Sequence, residues 1–320
     1  MEILSLYPDL QEKPWGGRKL IEDYGFHTKA KNAGEAWLLS CHPDGPSLVL
    51  NDAYHGMTLR EVLAKAGREA LGAHGANAAD FPILIKLIDA ADNLSVQVHP
   101  DDAYAKADNG ENGKTECWYI LDAEPGAELL YGFERDVTRE EFLQAVEDNR
   151  LTEITRRVPV KPGDVVFIPS GTLHAIGAGI LLAEVQQNSN ATYRIYDYGR
   201  PGNDGKPRPL HKEKAADVLR YTRAEGDFLP CGEKMAVAGG ARTELVSCPL
   251  FRTSLLEIDG RMADAADETS FVSLLVLSGE GTLTAPGQSL RLKKGGSVFV
   301  PAGTGDYTLE GDLRVLRTVI

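Results

Sequence analysis

The chain has 320 residues, 42% of them hydrophobic and 25% charged, so it can bury a large core and most simply forms two domains of a soluble enzyme. The net charge of −13 makes nucleic acid a poor partner, because an acidic surface repels the phosphate backbone. No apolar run approaches the roughly 20 residues that cross a bilayer, and the first residues lack the pattern of a secretion signal. We therefore expect a cytoplasmic protein without membrane contact.

Short runs of β-branched residues, separated by frequent glycine and proline, predict a mainly β protein with mostly antiparallel strands. The first group of predicted strands is Ala36–Ser40, Ile83–Ile88, Leu94–His99, Glu116–Leu121, Val165–Ile168, Ile180–Gln187 and Thr192–Tyr198. A later group comprises Arg252–Ile258, Val272–Leu277, Ser297–Val300 and Leu313–Val319.

A few helices are predicted between these strands. One begins with the capping box Thr58–Glu61 and another with the capping box Thr138–Glu141. A third is expected at Asp101–Ala107. The four cysteines form no C-x-x-C pair, so we expect buried free thiols and no disulfide framework.

An internal repeat indicates two related domains. The segment 161–174 aligns without gaps on the segment 293–306, and each copy reads as a turn, a buried strand, a Pro-x-Gly turn and a return strand. The repeat predicts two similar barrels, a first domain over residues 1–238 and a second over residues 239–320.

The first copy of the repeat ends in a histidine with a distinctive spacing. It fits G-x5-P-x-G-x2-H through Gly163, Pro169, Gly171 and His174. The glycines permit tight turns and the proline stiffens the strand entry, so the following strand can aim the imidazole inward.

Two further strands carry groups that can bind a metal. In the run Leu94–Pro100, side chains alternate with period two, so Gln97 and His99 share one face. A third strand supplies Glu116. Two imidazoles, a carboxylate and an amide oxygen form a nitrogen and oxygen set that suits zinc and leaves space for water or substrate.

These segments resemble a known family. The segment Gly163–His174 resembles the second cupin motif, and Leu94–Pro100 with Lys114-x-Glu116 resembles type I mannose-6-phosphate isomerase. The run Gln186–Tyr198 and the short length are similar to the shorter bacterial branch of that family. The resemblance implies a mainly β fold of two cupin-type (jelly-roll) β-barrels with a few inserted helices. The repeat itself predicts that the C-terminal barrel is metal-free, since Asp306 stands where the first copy has His174.

The resemblance also implies roles for individual residues. Zinc, one ion per chain, would be held by Gln97, His99, Glu116 and His174. Arg194 would be an active-site residue, with Lys86 and Lys114 near the substrate. The longer enzymes have an extra histidine before the lysine of the Lys-x-Glu element, where this chain has Gly113, so a base assigned to that histidine has no counterpart here.

The implied reaction is the aldose–ketose isomerisation of mannose 6-phosphate and fructose 6-phosphate through an enediol. Zinc or a fixed cation would offset the charge on the substrate oxygens, and Arg194 would stabilise the developing oxyanion. Lys114 is a better base candidate than the permanently charged Arg194 if a cationic, partly dry site favours its neutral form. Lys86 could hold the phosphate of the substrate.

Other functions remain open at this point. The protein could isomerise another sugar or sugar phosphate, act as an iron-dependent cupin oxygenase, or bind a sugar without turnover. The expected partner is a small sugar phosphate, and the chain is expected to be a monomer or a homodimer.

Overall fold

The computed structural model describes residues 1–202 and 205–320. Strands make up 42% and helices 15%, so the mainly β class is confirmed. None of the helices in these two ranges is long and apolar enough to cross a membrane. Cys41 and Cys117 are buried free thiols as expected, whereas Cys231 is exposed, so the expectation of buried thiols is wrong for that residue.

The strands and helices follow one another as listed here in chain order. The strands are β1 (Leu4–Tyr7), β2 (Asp9–Gln11), β3 (Glu35–Leu39), β4 (Leu48–Val49), β5 (Ile83–Ala90), β6 (Val96–Val98), β7 (Glu116–Ala123), β8 (Glu128–Phe133), β9 (Thr155–Pro159), β10 (Val165–Ile168), β11 (His174–Ile176), β12 (Ile180–Gln187), β13 (Tyr193–Tyr196), β14 (Met235–Val237), β15 (Gly240–Ser247), β16 (Arg252–Ala266), β17 (Val272–Ala285), β18 (Gln288–Lys293), β19 (Ser297–Val300) and β20 (Gly305–Val319). The helices are α1 (Lys19–Glu22), α2 (Leu59–Ala66), α3 (Gly72–Gly75), α4 (Asp102–Asp108), α5 (Arg139–Glu147) and α6 (Lys212–Val218), with short 3-10 turns at Asp52–Tyr54, Arg68–Leu71 and Leu151–Glu153.

Side-chain caps set the starts of the predicted helices. At α2 the Thr58 hydroxyl accepts from the Glu61 amide while the Glu61 carboxylate accepts from the Thr58 amide, which is the predicted capping box. At α5 the Thr138 half of the expected box forms. The third helix begins after Asp101, whose carboxylate accepts from a backbone amide of the first turn.

The chain divides into two compact units that are not continuous in sequence. The first unit contains residues 1–9, 36–86 and 229–320, and the second contains residues 10–35 and 87–228. These units do not test the predicted domain boundary between residues 238 and 239, which stays a prediction.

The first unit is built around a nine-stranded sheet. Its order is β14-β15-β16-β20-β17-β19-β1-β4, with β18 paired to β17. The long strands β16 and β20 pair from Arg252↔Val319 to Ala266↔Gly305. The sheet buries an aliphatic core that includes Leu274 on β17, Val298 on β19 and Leu309 on β20. This apolar burial is the main stabilising term of the unit.

The second unit contains two sheets that share one core. In one of them β10, β7 and β12 are neighbours, and the other is a five-stranded sheet of order β13-β6-β11-β8-β9. The core takes Trp118 and Val166 from the first of these sheets and Leu129 and Ile176 from the second. Functional side chains on the inner faces of these sheets therefore lie within a dry, packed layer.

The repeat seen in the sequence is present in the backbone. Its two copies form β10 and β19 at corresponding positions, and both strands have the same length. The expected barrels are not confirmed, because no sheet of the described residues closes on itself.

Candidate active site

One sheet of the second unit places Glu116 at the start of β7. In the register, Glu116 lies between Ile168 on β10 and Gln186 on β12. Side chains alternate along a strand, so Glu116 points to the same face as Trp118, a member of the shared core. Its side chain is only 1% exposed. The fold thus holds an acidic group inside an apolar layer, where a lone charge is costly unless a cation compensates it.

The five-stranded sheet aligns three of the predicted site residues in one row. Gln97 on β6 pairs with His174 on β11 and with Arg194 on β13. Directly opposed residues on antiparallel strands share a face. That face is the shared core, since Ile176 follows His174 by one strand period and belongs to the core.

The turn before His174 explains why the motif contains a glycine. Gly171 has a φ of 84°, and a Cβ there would lie 2.8 Å from the carbonyl oxygen of Val218. The Gly171 amide donates to the carbonyl of His99 at 2.8 Å. The turn therefore links the two segments that carry the histidines.

His99, Glu116 and His174 converge into a buried triad. The separation from His99 Nε2 to Glu116 Oε2 is 3.5 Å, and that from His174 Nε2 to Glu116 Oε1 is 3.3 Å. One ligand atom from each residue lies within 4.8 Å of the others, and all three side chains are buried. The triad combines groups from both sheets of the unit.

Hydrogen bonds to backbone carbonyls set the tautomer of both imidazoles. His99 Nδ1 lies 2.9 Å from the carbonyl oxygen of Ala191, and His174 Nδ1 lies 2.9 Å from that of Thr172. A carbonyl can only accept, so each Nδ1 carries the proton and each Nε2 presents a lone pair. Burial lowers the pKa of His174 to about 4, so this imidazole is neutral at neutral pH.

The geometry of the triad fits a divalent metal. At His174 the Nε2 lone pair faces a carboxylate oxygen, which brings two acceptors within 3.3 Å of each other. A cation between them turns this repulsion into attraction. Around a tetrahedral zinc ion with bonds of about 2.0–2.2 Å, neighbouring ligand atoms lie ~3.3–3.5 Å apart. The two measured separations, 3.3 and 3.5 Å, match that spacing.

The ammonium group of Lys114 lies beside the triad. Its Nζ is 3.1 Å from His99 Nε2 and 3.1 Å from Glu116 Oε2. The side chain is 7% exposed, so this is a buried ion pair. The structure brings Lys114 together with two of the predicted ligands, His99 and Glu116. Its place near the substrate stays a prediction.

Arg194 carries the other cation of this inner face. Its Nη1 donates to the carbonyl of Pro209 at 3.2 Å, while its buried Nε makes no hydrogen bond within the described part of the chain. Burial, together with the charges of Arg208 and Arg200, lowers the pKa of Arg194, and Asp197 opposes this shift. Arg194 thus keeps a donor available for an anionic ligand.

Lys86 lies in the first unit, on β5. Its side chain is buried, with Nζ 5.0 Å from the ring centroid of Trp37, a distance typical of a cation–π contact. A role for Lys86 in substrate binding stays a prediction.

One buried acid of this region was not found by sequence reasoning. Glu184 on β12 pairs with Trp118 in the register, and its Oε2 accepts from the indole Nε1 at 2.9 Å. The Trp118 ring packs edge-on against His174 at 5.4 Å, and the charge of Glu184 acts to raise the pKa of His174. The available signal was a lone carboxylate in the apolar run Ile180–Gln187.

Comparisons with known proteins place the sequence among mannose-6-phosphate isomerases. Residues 3–125 match the family model of the phosphomannose isomerase type I catalytic domain, and residues 241–320 match that of the mannose-6-phosphate isomerase cupin domain. A mannose-6-phosphate isomerase of Streptococcus mutans is 38% identical over 99% of this chain and 98% of that protein.

Solved structures show the same fold. The crystal structure of the mannose 6-phosphate isomerase from Bacillus subtilis superposes with a TM-score of 0.92 at 37% identity and covers 100% of both chains. A zinc-bound structure of a mannose 6-phosphate isomerase has a TM-score of 0.79 at 20% identity and covers 99% of both chains. At that identity the second likeness is one of fold.

Proposed function

The chain belongs to the type I mannose-6-phosphate isomerase family, and we propose that it interconverts mannose 6-phosphate and fructose 6-phosphate at a zinc ion held by Gln97, His99, Glu116 and His174. The family prediction made from the motifs is thereby confirmed, and members of this family are aldose–ketose isomerases. The observation that carries the metal proposal is the buried triad, in which two imidazole lone pairs point at one carboxylate.

The protein prepares this site in three ways. His99 and His174 are held in the ligating tautomer by their Nδ1 hydrogen bonds. Glu116 supplies the anionic oxygen, and Gln97, opposite His174 in the register, supplies an amide oxygen. Zinc, when bound, would supply a Lewis acid that offsets negative charge on the substrate oxygens.

Lys114 is the proposed group for the proton transfer between carbons. The isomerisation takes a proton from C2 of the open-chain aldose and returns it to C1, while a second proton moves from the oxygen on C2 to the oxygen on C1. Lys114 lies 3.1 Å from Glu116 and is nearly buried, so it is held against the metal-binding groups. A zinc ion on Glu116 would take over the charge compensation of this carboxylate, and Lys114 could then give up its proton and serve as the base.

Arg194 is proposed to stabilise the oxyanion of the enediol. It shares the inner face with Gln97 and His174, and its guanidinium stays charged and cannot serve as the base. A fixed donor aimed at a developing oxyanion lowers the barrier without reorganisation. Lys86 is proposed to bind the substrate phosphate, because an ammonium group suits that dianion.

A coupled assay tests the reaction and the metal together. Conversion of mannose 6-phosphate to fructose 6-phosphate is measured on the purified protein, after chelation, and after zinc is restored. We expect activity to disappear with chelation and return with zinc. The Glu116→Gln variant should stay inactive with zinc, whereas Glu280→Gln, which alters an exposed strand carboxylate, should match the unmodified protein.

The same experiment separates the alternative functions. If a folded, zinc-loaded protein shows no turnover, the result contradicts the proposal and favours another sugar substrate or a sugar-binding role. Metal analysis that finds iron, together with oxygen uptake, would indicate an oxygenase.

We further propose two cupin-type barrels, a catalytic domain over residues 1–238 and a metal-free one over residues 239–320. The matching strands of the repeat support this, as does Asp306 at the place of His174. Within residues 1–202 and 205–320, the triad is the only group of three or more His, Cys, Asp or Glu side chains close enough together to hold a metal ion. A cytoplasmic monomer or homodimer with one zinc ion per chain remains our prediction.

A further inference from the structure

The five-stranded sheet of the second unit has a cavity on the face opposite the triad. The cavity measures about 310 Å³, and Leu130 and Ala175 form part of its floor. These residues alternate along β8 and β11 with Tyr131 and His174, which point to the inner face. The sheet itself therefore separates this rear cavity from the proposed zinc site.

A β-bulge in β13 brings an aromatic side chain to the rear cavity. On β13, Arg194 pairs with Gln97, whereas Tyr196 pairs with Val96, and the register shifts between them. The extra residue, Ile195, reverses the alternation, so Tyr196 points away from Arg194. Without the bulge both side chains would share the inner face. Because of the bulge, β13 places Arg194 on the inner face of the sheet and Tyr196 on the opposite face.

The rear cavity is lined by neutral groups with unused hydrogen-bonding capacity. Tyr196, Tyr198, Asn149 and Thr152 all line it. Within the described ranges these four side chains make no hydrogen bond. Asn93 also lines the cavity and uses only its Oδ1, which accepts from the backbone amide of Ala178 at 2.9 Å. Phenols, amides and hydroxyls can each donate and accept. Such a lining matches a ligand whose own groups both donate and accept, as hydroxyl groups do.

The charges around the rear cavity cancel. Arg157 and Glu128 line it as an ion pair across neighbouring strands. Arg200 lies over the Tyr198 ring at 5.3 Å, but Asp197 binds it at 3.0 Å and Asp92 at 3.2 Å. Arg208 shares Asp197, so these two arginines are balanced by two carboxylates. No excess cation is left to favour a phosphate, so the lining selects against a charged ligand.

The backbone at the mouth of the rear cavity is strained. Tyr198 has a φ of 57°, in the left-handed region that bulky side chains rarely adopt. Its ring packs against that of Tyr196 at 4.8 Å and 63°. Strain of this kind persists where the surroundings determine a conformation, and it is common at ligand clamps. The two rings form a fixed aromatic wall against which the CH groups of a sugar can pack.

We propose that the rear cavity binds an uncharged, polyhydroxylated molecule of monosaccharide size. Its volume lies at the lower end of the range of about 300–1,000 Å³ for small-molecule sites, which fits one sugar ring. The aromatic wall packs against the ring, and the amides, phenols and Thr152 bind the hydroxyls. This site is separate from the zinc site and does not depend on the proposed isomerase activity.

Titration calorimetry with D-glucose tests the proposal, and glucose 6-phosphate serves as the charged comparison. We expect saturable binding of D-glucose with a Kd on the order of millimolar, as for other ligands of this size. Glucose 6-phosphate should bind this site more weakly. Tyr198→Ala should weaken D-glucose binding about tenfold, since it removes one aromatic wall. Asn149→Gly is the second variant, in case Tyr198→Ala fails to fold. It removes an amide from the rim, suits the φ of 57° at this position, and should also weaken binding.

The Glu116→Gln variant and mannose 6-phosphate separate this site from the zinc site. D-glucose binding should survive Glu116→Gln and should not be displaced by mannose 6-phosphate. Loss of binding in a Glu116→Gln protein that circular dichroism shows to be folded, or displacement by mannose 6-phosphate, would place the sugar in the zinc site and overturn the proposal. Absence of saturable binding to the folded chain, or unchanged binding in both rear-cavity variants, would overturn it as well.

Discussion

Replacing Glu116 with glutamine tests whether a buried cation is held by this carboxylate. Glu116 and Lys114 are 1% and 7% exposed at their side chains and lie 3.1 Å apart. The substitution keeps the shape of the side chain and removes its charge. In the metal-free protein the ammonium group of Lys114 is then left inside the protein, beside the imidazole of His99 and the new amide.

The size of the effect follows from the burial of the pair. Breaking a buried ion pair by removing one partner costs about 3–5 kcal/mol, because the remaining charge stays desolvated. Movement of the flexible lysine toward solvent would reduce this cost, so we expect a loss near 3 kcal/mol in the free energy of unfolding. Zinc binding should also be lost, and with it the stabilisation of about 4 kcal/mol that a ligand provides at a thousandfold excess over its Kd.

A double-mutant cycle in urea, with chelator present, measures the coupling. The variants are Glu116→Gln, Lys114→Met and the combination of both. The double variant should regain about 2–3 kcal/mol relative to Glu116→Gln, because neither charge remains to be buried. A Glu116→Gln protein as stable as the unmodified one would refute the reasoning, and so would a double variant whose loss equals the sum of the single losses.

Three other predictions follow from the site. Burial lowers the pKa of His174 from its ordinary value of 6.5 to about 4, so the unfolded chain takes up the proton first as the pH falls. The stability of the metal-free protein should be complete above pH 6.5 and fall by up to about 3 kcal/mol toward pH 4, and His174→Asn should flatten this profile in pH-dependent urea unfolding. Arg194→Ala should lower kcat about a hundredfold through loss of an oxyanion donor, with zinc content unchanged; lost zinc would contradict this role. In steady-state kinetics, Lys114→Ala should lower kcat and Lys86→Ala should mainly raise KM, and wild-type kinetics in both would contradict these roles.

The local parts of the fold could be predicted from the sequence. The repeat predicted strands at 165–168 and 297–300, and both form with the same length. Gly163 and Gly295 correspond in the repeat and both have positive φ, so the two turns could also be predicted from the sequence. The division into two compact units could not be predicted, because it depends on pairings such as that of β1 with β19, which lie at opposite ends of the chain. No local propensity encodes such a pairing.

The candidate site was predictable to the extent that single strands determine it. Period-two alternation and the glycine-rich turn were enough to bring His99 and His174 to one place. The neighbours supplied by other strands were not predictable in the same way. Glu184 reaches Trp118 only through the register of β7 with β12, and the rear position of Tyr196 depends on a bulge that the sequence of β13 does not reveal.

The charges of the site explain how an acidic chain can use an anionic substrate. The net charge of −13 opposes the approach of a sugar phosphate. At the inner face, however, Lys114 neutralises Glu116 before any metal binds, and the proposed zinc ion then adds two positive charges beside Arg194. Glu184 offsets only one of these. The local potential is therefore positive in a layer of low dielectric, where each charge acts more strongly than those on the solvated surface. In the proposed function, the charge inside the site, rather than the overall balance of the chain, selects for a sugar phosphate.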